Sequence, residues 1–231
     1  MLPNLPDIVM IIIMVRISGK VLNMNIFILD QDPDTAARLQ CDKHIVKMVV
    51  ESAQMLSTAH RLLDGIEIVK PSVSGKTNVK YWRLTGDKED ILYKAVHIGH
   101  PCTQWTMEST TNYGWHLVHF VALCDEYTYR YGKVHKSSEL IPHLMELPRN
   151  IKEGPMTPFR LAMGSNPECM FPEDPVKSYR MFYQTKQERF SMNWTKREIP
   201  EWFNGSTRQD QGEDGRTSGN DGVQQTLREA V

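Results

Sequence analysis

The segment CDKHIVKMVVESAQMLSTAH, residues 41–60, constrains the fold more than any other. It reads as one long helix whose apolar residues, among them Ile45, Val46, Met48, Val49, Val50, Ala53, Met55 and Leu56, cover more than the single stripe a surface helix needs. Such a helix belongs at the centre of a fold. Yet His44, Lys47, Glu51, Gln54 and Thr58 fall within a sector of roughly 80° and run along one edge of it. An unpaired amine or carboxylate inside a protein is costly. The polar line must therefore bond partners within the fold or border a cleft.

A chain of 231 residues can bury a sizeable core as one large domain. Its 27 basic and 28 acidic residues leave a net charge of -1, so a polyanionic partner would have to be met by a local patch. Cys41, Cys102, Cys124 and Cys169 contain no CxxC pair and read as the reduced thiols of a cytoplasmic protein. The apolar run IVMIIIMV near the start is too short to span a bilayer, and no membrane partner is expected.

Residues 1–23 read as an extension ahead of a natural start at Met24, where MNIFILD has the form of a short strand. Residues 204–231, nearly free of large apolar side chains, are expected to form a disordered tail. The 24–203 portion between them is predicted to be a single, mainly α-helical bundle. Asp32 and Pro33 open a helix, and Asp64 with Gly65 closes the long one. Residues 66–86 read as a loop containing a short hairpin. KEDILYKAVH forms a further helix ending near His100, and Pro101 begins another, bent at Gly114 and ended by Gly132. Asp174 and Pro175 start the last one.

Three constellations carry chemistry. Lys47 and Glu51, four residues apart, can form an ion pair; against an apolar wall the acid would be held protonated more readily and the amine deprotonated more readily, which suits proton transfer or nucleophilic attack. Trp105, Ser109, Asn112, His116 and His119 share one helical face, which is either a buried hydrogen-bond network or the wall of a base-binding pocket, with Trp105 stacking and His100 nearby. The block from Lys177 to Trp202 interleaves cations with rings, as an amphipathic helix or a nucleic-acid groove would; Arg180 and Lys186 are its candidate phosphate holders. His97, His100 and Cys102 invite a metal reading, but Pro101 interrupts the spacing and no metal or other cofactor is expected.

The chain resembles the pyrimidine-dimer DNA glycosylases of the endonuclease V type and the helical phage and bacterial proteins related to them. The resemblance covers most of residues 24–203. It is carried by CDKHIVKMVVESAQML and by HPCTQW followed by LCDEYTYRYG, more loosely by PMTPF and YRMFY. In that family an Asp-x-His turn leads into a helix bearing a catalytic glutamate, and Asp42, His44 and Glu51 match in order and spacing.

The resemblance implies an all-α DNA-repair enzyme that kinks double-stranded DNA, extrudes a damaged pyrimidine, attacks C1′ of its sugar with an amine to form an imine, and assists base loss and strand cleavage with the carboxylate. Glu51 takes the role of general acid/base, and His44 that of orienting it. His100, Trp105, Asn112 and His116 would line the base pocket. The family's nucleophile is the α-amine of a small residue freed by removal of the initiator Met. This chain departs from that pattern, since a start at Met24 leaves Asn25, a poor substrate for trimming. Lys47 is then the substitute nucleophile. Two other readings share the scaffold: an enzyme that modifies thymine bases in viral DNA, and a nucleic-acid-binding protein without catalysis.

Overall fold

The computed structural model describes residues 25–72 and 74–203; the two terminal segments singled out above lie outside them. Among the described residues the chain is mainly α-helical. Helix α1 (Pro33–Arg38) begins at Asp32, whose carboxylate accepts from Thr35 N at 2.8 Å. Helix α2 (Asp42–Asp64) follows, then the antiparallel hairpin β1 (Ile66–Pro71) and β2 (Asn78–Arg83), in register from Ile66 opposite Arg83 to Pro71 opposite Asn78. Helices α3 (Lys88–Ile91), α4 (Pro101–Glu108), α5 (Thr110–Tyr131), α6 (Ile141–Leu144) and α7 (Pro175–Gln184) complete the order.

The oily segment is the centre of the fold, as its composition requires. Helix α2 packs against α4 and α5, while α1 lies on α5. Ile45, Met48, Val49, Ala53, Met55, Leu56 and Ala59 are buried in one apolar cluster that also takes Trp105, Tyr113, Phe120, Tyr179 and Tyr183. What remains open on α2 is a narrow line through Lys43, Val46 and Lys47, with Val50 and Gln54 half-buried. Among the described residues no helix is long and apolar enough to cross a membrane.

Three local expectations give way to tertiary demands. Asn25 to Leu29 is buried but forms no strand: the Asn25 N–H is directed at the Glu51 carboxylate and the Leu29 carbonyl accepts from Arg180, so side chains from helices take the places of a ladder. KEDILYKAVH is helical only over Lys88–Ile91. Beyond it the carbonyls of Leu92 and Tyr93 accept from Arg61 at 2.8 and 2.6 Å and are unavailable to a helix. Finally, α5 runs unbroken through Gly114. The break comes at Ser109, an extended residue whose hydroxyl caps α5 by accepting from Asn112 N.

Arg61 is the knot of this arrangement. Its side chain, 1% exposed, donates to the carbonyls of Trp82, Glu89, Leu92 and Tyr93 and to the Glu89 carboxylate at 2.6 Å, tying α2 to the foot of the hairpin and to α3. Replacing Arg61 by Met would leave a half-buried carboxylate and four carbonyls to find other partners. A loss of roughly 3 kcal/mol or more in urea unfolding is expected; a loss under about 1 kcal/mol would show that the knot is dispensable.

Candidate functional site

Glu51 lies midway along α2 with its side chain 11% exposed. One carboxylate oxygen is 2.9 Å from Lys47 Nζ, one turn earlier on the same helix; the other is 3.4 Å from the backbone nitrogen of Asn25. Burial raises the carboxyl pKa, against the opposing pull of Lys47, then of the Asn25 N–H and His97. Lys47, with its side chain 47% exposed, faces water where Glu51 faces protein. The pair therefore spans the boundary of the fold: the acid is held more protonatable than an ordinary glutamate, and the amine beside it can be reached from outside.

Two pieces of irregular chain complete the surroundings. Asn25 is fixed by its own amide, which donates to the Ala162 carbonyl at 3.1 Å and accepts from Cys102 Sγ at 3.5 Å. On the other side Val96 is bonded to Thr58, another member of the polar line, whose hydroxyl accepts from Val96 N at 3.1 Å. Ile98 is held by Gln104 of α4 through its carbonyl. Between these two anchors His97 adopts φ 50°, a left-handed conformation that L-residues other than Gly rarely take. The exposed His97 is near enough for its charge to act on Glu51.

Of the residues expected at the site, only Glu51 and Lys47 come together there. His44 does not orient the carboxylate. It precedes Glu51 by two turns, about 10 Å along the axis. Its Nδ1 meets Cys41 Sγ at 3.6 Å, and its ring is boxed by Phe27, Tyr183 and Phe190 at 4.7, 4.9 and 5.4 Å. His100 caps α4, its Nδ1 accepting from Cys102 N at 3.2 Å.

Trp105, 1% exposed, cannot stack on an extruded base: it packs against Trp115 and Phe159 and donates to Thr157 O. Asn112 is fully buried, with Nδ2 donating to Trp105 O and Thr157 Oγ1 and Oδ1 accepting from Thr157 N. His116 is equally enclosed, bonded through Nδ1 to Thr106 at 2.8 Å. This face is the buried network, not a pocket wall. Arg180 fastens the amino-terminal segment by donating to Leu29 O, with Asp30 at 3.5 Å and the Trp202 ring beneath. Lys186, 6% exposed, lies 3.3 Å over Phe182, and burial pushes its pKa down to about 8.

Asn25, His97 and Cys102 are the neighbours of Glu51 that were not assigned roles from sequence. The signal for His97 was slight, because a left-handed residue is ordinarily betrayed by Gly or Asn and neither stands at that position. No three His, Cys, Asp or Glu side chains converge as a metal site needs among the described residues.

The enclosed histidines make stability sensitive to acid. Burial lowers His44 to about 3, His60 and His119 to about 4, and His116 well below its ordinary 6.5. Unfolded, these rings protonate near pH 6.5, so as pH falls from there toward 4 the unfolded state binds more protons than the native one and stability declines. Above that window this contribution is complete. Two such rings alone amount to roughly 4 kcal/mol at pH 5, so the urea midpoint should fall sharply between pH 7 and pH 5. Equal midpoints would show that the rings are solvated. Comparison of the chain with protein-family models, curated proteins and solved structures finds no match.

Proposed function

We propose that the protein is a DNA base-excision enzyme acting on a pyrimidine swung out of the duplex, with Glu51 and Lys47 as its reacting pair. The observation that supports this most is the placement of a largely buried carboxylate, with a raised pKa, 2.9 Å from an amine that opens to solvent. In this reading Glu51 takes a proton from Lys47, and the neutral amine attacks C1′. The N–C1′ bond forms as the glycosidic bond breaks, and Glu51 gives the proton it took to the departing base. Of the two protons then on nitrogen, Glu51 carries one to the ring oxygen O4′; the C1′–O4′ bond breaks as the nitrogen lone pair closes the C=N bond, and a protonated imine results. Ionised again once the base has left, the carboxylate stabilises the positive charge of the protonated imine.

A second amine is favoured by one distance. Were the chain trimmed to begin at Asn25, its α-amine would occupy the nitrogen position 3.4 Å from Glu51, which is where the resembled family would need its nucleophile. Lys47 and Asn25 thus address the two oxygens of one carboxylate.

The test uses full-length protein and protein starting at Met24, each incubated with irradiated and undamaged duplex DNA in the presence of borohydride, which reduces an imine to a stable amine. A covalent adduct on irradiated DNA is expected, and the mass of the linked peptide distinguishes Lys47 from Asn25. Glu51→Gln should bind DNA as before while excision falls by roughly 10²–10⁴-fold. Undiminished excision by that variant would refute the assignment.

A further inference from the structure

We infer that the β1–β2 hairpin and the groove beneath it form a seat for the phosphodiester backbone of a nucleic-acid strand. The inference rests on the reading of DNA as partner, but uses none of the residues of the reacting pair.

The hairpin leaves α2 at a sharp corner. A Cβ at Gly65 would run into the Arg61 carbonyl and the Trp82 side chain, so the chain can turn closely only with glycine there. From that corner the ribbon projects: every residue of β1 except Ile68 is exposed. Its charge is lopsided. Residues 66–83 carry Lys70, Lys76, Lys80 and Arg83 against Glu67, in a protein whose overall net charge is -1. Lys80 is paired with Glu67 at 2.9 Å; among the described residues Lys70, Lys76 and Arg83 have no acidic partner.

Alternation in the register puts Ile68, Lys70, Val79, Tyr81 and Arg83 on one face. That face bounds a groove of about 480 Å³, also lined by Lys94 and Ala95. Ile68, Val79, Tyr81 and Trp82 give it apolar and aromatic lining, Lys80, Arg83 and Lys94 add cations, and Lys70 lies 4.4 Å over the Tyr81 ring. The acid of the groove, Glu89, is already neutralised by Arg61 and Lys94, each at 2.6 Å. Positive charge is therefore left over for something outside the chain. Lys70 and Arg83 stand at opposite ends of the paired strands, about 13 Å apart at 3.3 Å per residue. That is the length of roughly four base steps, which fits a polyanion better than a lone phosphate.

Position strengthens the case. Ala95 walls the groove, Val96 is bonded to Thr58 of α2, and His97 stands beside Glu51. One stretch of chain thus borders both the groove and the candidate site, and a strand lying in the first is led toward the second.

The experiment is a salt titration of binding to undamaged duplex DNA by fluorescence anisotropy, with wild type, the Lys70→Ala/Arg83→Ala double variant, Lys76→Ala and Glu51→Gln. All the altered hairpin positions are exposed, so the fold should survive, and circular dichroism checks it. The double variant is expected to bind about fiftyfold more weakly at 0.1 M salt, with the slope of log affinity against log salt reduced by about 2. Lys76→Ala should lower the slope by about 1, and Glu51→Gln should match wild type. Wild-type slope and affinity in the double variant, or no salt-dependent binding by wild type, would overturn the inference. Failure of base excision is read separately, as bound duplex that releases no base.

Discussion

The obligation to satisfy polar groups on a buried helix organises this protein. Helix α2 passes through the core carrying Asp42, Glu51, Thr58, Arg61 and Asp64, and each of these fastens a different length of irregular chain. Asp42 accepts from Thr195 and from Arg130. Thr58 holds Val96, Arg61 the foot of the hairpin and the irregular chain after α3, and Asp64 the backbone of Arg149 and Asn150. Hydrogen bonds to charged groups are worth roughly 1.5–3 kcal/mol each, about twice neutral ones. The apolar face of α2 fixes the helices around it, and its polar side chains fix what is not helical.

Within this scheme Glu51 is set apart by the quality of its partners. Glu126 is buried between the guanidinium groups of Arg130 and Arg197, and its pKa is lowered. Glu89, gripped by Lys94 and Arg61, is lowered to about 2. Glu51 has an ammonium half in water and one long backbone hydrogen bond, too little to offset its burial. Of the described carboxylates with a displaced pKa, it alone is raised. Burial of all three is structural; the imbalance at Glu51 is what makes it a candidate for chemistry.

This imbalance explains how far the sequence could be read. The 3.6 period exposed α2, its polar line and the Lys47–Glu51 pair, and Asp-Pro dipeptides marked the starts of α1 and α7, because those signals are local. Periodicity does not say what a face meets. Asn112 and His116 repeat as a pocket wall would, yet Thr157 and Thr106 close on them from the same assembly of helices and loops. Helical propensity after Ile91 lost to Arg61, a residue far off in sequence, and the strand-like NIFIL run found helix side chains instead of a neighbouring strand. The interleaved cations of α7 were legible as a pattern, but Arg180 was already engaged by Leu29.

The segment from Lys94 to His100 joins these arguments. It has lost its helix to Arg61, is stitched to α2 through Thr58 and to α4 through Gln104, and holds His97 in a conformation that costs of order 1–3 kcal/mol. A conformation of that cost persists because both flanking residues are tied to separate helices, so it reports on the relative position of α2 and α4. The same segment supplies one wall of the hairpin groove and stands against the buried acid. The proposed binding surface and the proposed reacting pair therefore lie at opposite ends of one loop, which is constrained by bonds to α2 and α4.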